Sequence, residues 1–185
     1  MKQLFNPFNK IAGAKALIFG AIISIFTLTV SLYSHSAFDG VLDFHKAPYI
    51  TIWPYLSFYL ISWLCLVFYF GLAGILLTRT KFRWLDLLGT TLFSRSPLLI
   101  AALLCFAIPF IDQQQIKDIS KIHFSVSFFI ASGLSLLCII WTIALYYNCY
   151  RVCLNIKGTK AIWSFILVMI LAEATSLIMI RSLHF

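Results

Sequence analysis

One carboxylate stands out because it lies inside an apolar stretch long enough to cross a membrane. Glu173 is the only formally charged residue between Ala161 and Ile180. An acid at this depth is costly to insert, so it needs a proton, a polar partner or contact with water. Its i+3 neighbour Ser176 and its i−3 neighbour Ile170 share its helical face, so we expect Glu173 to point into the bundle. Two roles follow: a hydrogen-bonded acid that fixes helix packing, or a proton or cation site.

The cations that could pair with this acid are few. A helix that begins at Ala161 carries Glu173 roughly 20 Å across the bilayer, so cations near the far surface are within reach. Three such residues precede the fourth apolar stretch: Lys117, Lys121 and His123. Arg95 starts from the opposite surface and is therefore a more distant candidate.

No residue set for catalysis or for a bound cofactor is visible. Residues 133–135 contain the Gly-x-Ser core of a serine hydrolase, but the only histidine downstream is His184, near the C-terminus. The sequence has no Asp-Asp or Glu-Glu pair, no His-Glu-x-x-His and no glycine-rich phosphate loop. The five cysteines lack the histidines that would complete a metal set. We therefore expect a protein that is not an enzyme and holds no metal or cofactor.

The elements that position these residues are membrane-spanning helices. Of 185 residues, 62% are hydrophobic and only 11% are charged, which lies far outside the composition of soluble proteins. The net charge of +8 comes from short basic clusters beside apolar runs, which is typical of membrane flanks rather than of nucleic-acid binding. The composition predicts an all-α integral membrane protein of one domain, residues 1–185, whose partner is the lipid bilayer and not nucleic acid.

Charge-free runs long enough to cross roughly 30 Å of hydrocarbon predict five transmembrane helices. They cover residues 13–33, 53–77, 96–111, 124–148 and 161–180. The third is short, at about 24 Å when helical, and Pro97 near its start removes a backbone donor. We expect an interfacial or half-inserted helix over residues 81–94, a kink at Arg95 and Pro97, and then the third span. One long tilted helix, with Arg95 reaching the headgroups, is the alternative.

Basic residues are distributed unevenly between the two sides of this bundle. If the N-terminus is cytoplasmic, ten of the 14 Lys and Arg residues lie on that side: Lys2, Lys10, Lys15, Arg79, Lys81, Arg83, Arg95, Arg151, Lys157 and Lys160. The remaining four lie outside: Lys46, Lys117, Lys121 and Arg181. Because cytoplasmic loops carry the excess of Lys and Arg, the sequence predicts a cytoplasmic N-terminus and an external C-terminus.

Small residues three or four positions apart predict close contacts between helices. Such residues let two backbones approach, and this close packing drives helix association in lipid. They lie on the first, second and fourth spans: Ala12, Ala16, Gly20 and Ser24; Gly71 and Gly74; Ser127, Ala131 and Ser135. We therefore expect a compact bundle.

Three stretches of the chain resemble the Yip family of five-span membrane proteins, which is named for interaction with Rab-type GTPases. The first is the lead-in of residues 4–16, which begins Leu-Phe-Asn-Pro-Phe. The second, residues 92–99, is similar to the family's aromatic-x-x-x-Pro segment at the start of the third span. The third, residues 141–173, resembles the last helical hairpin with its small basic turn.

The resemblance implies a five-helix domain with a cytoplasmic N-terminus and a non-enzymatic role in membrane organisation or in binding other membrane proteins. In eukaryotic members that role is vesicle budding or membrane shaping with GTPase partners. Only a short lead-in precedes the first span, which argues against GTPase binding and favours a compact bacterial member in the cytoplasmic (inner) membrane. The alternative is a small transporter or ion-coupled permease that uses Glu173 in a bundle cavity.

Overall fold

The computed structural model describes residues 2–47, 49–78, 81–109 and 125–183. Five helical segments in this part of the chain are long and apolar enough to cross a membrane, as the sequence predicts. They are Gly13–Ser34, Ile52–Leu77, Trp84–Ala107, Val126–Leu154 and Gly158–Ser182. The third segment begins well before residue 96, where the sequence placed its start, and the fourth continues beyond residue 148.

The elements follow in a simple order. A short helix α1 (Lys2–Phe5) and a 3₁₀ turn (Pro7–Asn9) precede the long helix α2 (Gly13–Ser34). Two antiparallel strands of two residues each come next, β1 (Ser36–Ala37) and β2 (His45–Lys46), within an architecture that is otherwise helical, as predicted. The remaining elements are α3 (Ile52–Leu77), α4 (Trp84–Phe93), α5 (Pro97–Leu104), a 3₁₀ turn (Cys105–Ala107), α6 (Val126–Leu154) and α7 (Gly158–Ser182).

The third apolar segment is interrupted where the sequence predicts a break. Helix α4 ends at Phe93 and α5 begins at Pro97, with residues 94–96 forming a turn. The amide of Arg95 donates to the carbonyl of Leu92 at 3.2 Å, three residues back instead of the four of an α-helix. This tighter turn precedes the proline, which has no amide to donate.

Helix α4 runs parallel to α2 and packs against its first half. A Cβ at Gly89 would lie 2.7 Å from the amide nitrogen of Leu17, and one at Gly20 would lie 2.8 Å from that of Phe93. Later residues of α2 thus meet later residues of α4, which fixes their relative direction. Both contacts are with backbone atoms, so only glycine permits this approach. The interfacial position of residues 81–94 stays a prediction.

Small residues line the other helix contacts, as the sequence predicts. The buried face of α2 consists of Ala16, Gly20, Ser24, Thr27, Ser31 and Ser34. On α3, Gly71 and Gly74 lie against the rings of Trp84 and Phe82, which a Cβ would overlap. On α6, Ala131 and Ser135 are buried, whereas Ser127, and Ala12 just before α2, are exposed, so the prediction is wrong for these two residues. The close approach of these backbones gives the compact bundle that the spacing indicates.

The segment between α2 and α3 folds back into the bundle, which the sequence did not reveal. Phe38 is 3% exposed and packs edge-to-face on Tyr59 of α3. Val41 is buried in the central core cluster together with Phe70. Strands β1 and β2 pair at the base of this segment. We call residues 36–46 the inserted loop, and the end of the bundle that carries β1 and β2 the hairpin end.

Candidate functional site

Glu173 is held by the backbone of the inserted loop. Its Oε2 accepts a hydrogen bond from the amide of Leu42 at 3.0 Å, and the amide of Val41 also lies within bonding reach of the carboxylate. Gly40 lies so close to Oε1 that a Cβ there would overlap this oxygen. Successive amides of a loop make a suitable cradle for an anion. The acid therefore ties α7 to a segment far away in the chain.

The helix face around Glu173 is only partly as predicted. Ser176 is completely buried, and its hydroxyl donates to the carbonyl of Glu173 at 2.9 Å. On the other side, however, Ile170 is 60% exposed and faces the lipid region. Glu173 thus lies at the boundary between the packed and exposed sides of α7, where the inserted loop contacts it.

Three of the cations proposed as partners of Glu173 fall outside the described residues: Lys117, Lys121 and His123. In the described ranges, the carboxylate is bonded by loop amides and not by a side-chain cation. These donors could not be predicted from opposite charges, since every residue except proline carries the same amide. The one feature of the sequence that could have indicated a close approach to this loop is Gly40, which lies between the apolar residues Phe38 and Val41.

Two further acids and a histidine lie on the inserted loop. His45 Nδ1 is 3.0 Å from Asp39 Oδ1, and this close contact with the Asp39 carboxylate raises the pKa of His45 above its ordinary value. Burial, and then the nearby charge of Asp39, raise the pKa of Asp43. No group of three or more His, Cys, Asp or Glu side chains suited to a metal ion occurs within the residues that the structure describes. These groups set the charge of the loop that holds Glu173.

Arg95 is buried, which corrects the sequence prediction that its charge lies at the cytoplasmic surface or among the headgroups. Its side chain is 0% exposed. Nη1 donates to Ser62 Oγ at 3.0 Å, and the guanidinium lies 4.0 Å from the centre of the Tyr59 ring. The tight turn after α4 directs this side chain onto α3 instead of toward water, and the ring supplies a cation–π contact. Pro97 is likewise buried, at the start of α5.

The surroundings of Arg95 are polar at the middle of the bundle. Tyr59 shares a 2.9 Å hydrogen bond with Ser24, which lies near the centre of α2. Arg95 Nε and Nη2 and the hydroxyl of the fully buried Tyr146 have no hydrogen-bond partner in the part of the chain that is described. Tyr146 is close enough to feel the charges of both Arg95 and Glu173. Sequence reasoning did not single out Tyr146, because aromatic residues are abundant throughout this chain.

Comparison with known proteins covers almost the whole chain at the level of a family. A family model described as the Yip1 domain matches residues 2–179. This range includes the lead-in, the break before Pro97, the inserted loop and Glu173. No curated protein matches the chain, and no solved structure does.

Proposed function

The chain belongs to the Yip1 domain family, and on that premise we propose a non-enzymatic multi-pass membrane protein that organises the membrane or binds other membrane proteins. One observation carries this proposal. The single acid within the fifth span, Glu173, is engaged by Leu42 and Gly40 of the inserted loop. The Glu173 carboxylate links α7 to the inserted loop within the protein, which is a structural role.

A transported ion needs a site that it can reach and leave. The amide of Leu42 occupies one oxygen of Glu173, and Gly40 covers the other. A cavity of about 290 Å³ opens near the hairpin end, but Glu173 does not line it. Binding a cation at this carboxylate would require the loop to leave the core, where Val41 is fully buried. The geometry therefore favours scaffolding over transport.

Large apolar faces remain available for lipid and for neighbouring membrane proteins. On α2 the outward side chains include Ile18, Phe19, Ile22, Ile25 and Phe26, and on α6 they include Ile130, Leu134 and Leu137. Since lipid removes the usual hydrophobic gain between helices, partners on these faces would associate through shape and close packing. We include membrane proteins that pack on these faces among the proposed partners.

We place the N-terminus in the cytoplasm because of the unequal distribution of Lys and Arg between the two ends. The proposed location is a bacterial inner membrane, as for the compact members that the sequence resembles. The first turn of α4 suits an interface: Trp84 is half exposed, and Arg83 Nε lies 3.9 Å from Asp86 Oδ2. We propose that this turn marks the cytoplasmic boundary of the bilayer, with the rest of α4 alongside α2.

Flux through proteoliposomes tests the proposal against the transport alternative. The wild-type protein and Glu173→Gln are reconstituted into vesicles of phosphatidylethanolamine and phosphatidylglycerol, and proton, Na⁺ and K⁺ flux is followed with entrapped dyes. We expect neither protein to exceed protein-free vesicles. Flux through the wild-type protein that Glu173→Gln abolishes would reverse the order of the two hypotheses.

A further inference from the structure

A cleft lies at the hairpin end, between strand β2, the 3₁₀ turn after α5 and helix α6. Its volume is about 290 Å³. Its lining includes Lys46, Cys105, Ile108, Ser135, Leu136 and Ile139. The volume is at the lower end of the range for small-molecule sites, roughly 300 Å³ upward. The cleft can therefore hold part of a larger molecule.

One end of the cleft carries unused hydrogen-bond donors. The hydroxyl of Ser135 is buried and has no hydrogen-bond partner in the described ranges. Lys46 reaches far enough into the cleft for its charge to act on the thiol of Cys105. The ion pairs within the described residues are Asp39–His45 and Arg83–Asp86, so the ammonium of Lys46 has no carboxylate partner there. A buried hydroxyl without a partner is costly, which points to a polar ligand.

The other end of the cleft is apolar and opens to lipid. Leu136 lies on its rim and is 57% exposed on α6. Ile139, one turn further along the same helix, continues this wall toward the middle of the span, and Cys105 and Ile108 face it. Lys46 lies on β2 at the hairpin end, where headgroups are found, and Ile139 lies near the middle of α6, so the cleft runs from the headgroup level toward the apolar interior.

We propose that this cleft binds a single phospholipid from the leaflet at the hairpin end. The phosphate contacts the ammonium of Lys46, the Ser135 hydroxyl donates to an ester carbonyl, and one acyl chain lies along Leu136 and Ile139. Charge complementarity selects the phosphate, because a Lys ammonium is a strong point-charge donor to phosphate oxygens. The rest of the lipid stays in the bilayer, consistent with the small volume. Glu173 does not line this cleft, and the proposed lipid site does not require the role proposed above.

Lipid retention by the purified full-length protein tests the site. The protein in detergent micelles is mixed with phosphatidylglycerol or with diacylglycerol of the same acyl chains, and native mass spectrometry counts the lipid that remains bound. We expect one phosphatidylglycerol to be retained, at least tenfold more tightly than diacylglycerol, because a charged hydrogen bond is lost without the phosphate. Equal retention of the two lipids would overturn the phosphate assignment.

Matched variants separate the cleft from the remaining surface. Lys46→Ala and Leu136→Trp, which fills the rim, are expected to weaken phosphatidylglycerol retention about tenfold or more. The controls are Leu137→Trp, at a neighbouring position that is 59% exposed and outside the cleft lining, and Lys157→Ala, an exposed lysine of the opposite end. Both controls should retain lipid as the wild-type protein does.

Three results would overturn the proposal. The first is that Leu136→Trp retains as much phosphatidylglycerol as Leu137→Trp does, and the second is that Lys46→Ala binds it as tightly as the wild-type protein. The third is that inorganic phosphate alone raises the melting temperature of the protein as much as the phospholipid does. The positions Lys46, Leu136 and Leu137 are not fully buried. Size-exclusion elution and circular dichroism of each variant confirm that the bundle is formed before lipid is added.

Discussion

Glu173 offers the sharpest test of the idea that hydrogen bonding to the inserted loop, and not charge, is what this position supplies. Two substitutions, Glu173→Gln and Glu173→Ala, both remove the cost of a carboxylate in the bilayer, so this term cancels when they are compared with each other. Gln keeps an oxygen that can accept from the Leu42 amide at the position where Oε2 now lies. Ala leaves that amide without an acceptor.

The size of the difference follows from this one bond. A buried amide that loses its acceptor costs about 1–3 kcal/mol, and the cavity left by the shortened side chain adds to this. We therefore expect Glu173→Ala to be less stable than Glu173→Gln by about 2–4 kcal/mol. The gap corresponds to a factor of roughly 30 or more in the unfolding equilibrium.

Unfolding by sodium dodecyl sulfate in mixed micelles, followed by tryptophan fluorescence, measures the two free energies. The control is Ile170→Ala on the same helix, at a side chain that is 60% exposed. It should change stability by much less than Glu173→Ala does, because it leaves no polar group without a partner. If Glu173→Gln unfolds as readily as Glu173→Ala, the negative charge itself is what matters, and the loop-tie interpretation is refuted.

Three other predictions use the same unfolding measurement. Gly89→Ala should destabilise the protein by about 1–3 kcal/mol because its Cβ meets α2 backbone, whereas Gly133→Ala, with nothing within 4 Å of its Cβ, should be neutral or slightly stabilising. The Asp39–His45 pair raises the pKa of His45, so its stabilising effect is complete below the ordinary value of 6.5 and declines as the pH rises through the raised pKa. This pH dependence should weaken in His45→Ala. Arg95→Lys should be less stable than Arg95→Met, because a buried ammonium cannot reproduce the planar contacts of guanidinium, while Met buries no charge.

Each of these three predictions would be contradicted by one measurable outcome. Equal stability of Gly89→Ala and Gly133→Ala would mean that α2 and α4 are not in tight contact. Stability that rises with pH between 6 and 8.5 would contradict the sign given for His45. An Arg95→Lys variant that matches or exceeds Arg95→Met would show that a positive charge at this depth is itself stabilising.

Much of the fold could be predicted because it depends on local composition. The apolar runs predicted five spans, since transfer into lipid is a property of each segment by itself. The polar turn before Pro97 predicted the break in the third segment, because a proline lacks the amide of a continuous helix. Small residues at helical spacing predicted a contact face on the first span, and Gly20 lies in that contact, whereas the matching Gly89 was not among the predicted residues.

The sequence alone determined the class of the protein, the number of its apolar helices and the presence of one acid that needs shelter. Only the tertiary structure decided that this shelter is the amide of Leu42, 131 positions away in the chain, and that Arg95 turns inward onto Tyr59. The physical reason is that a backbone amide is the same at nearly every residue. Its availability depends on where the chain folds back, and no local pattern of side chains specifies that.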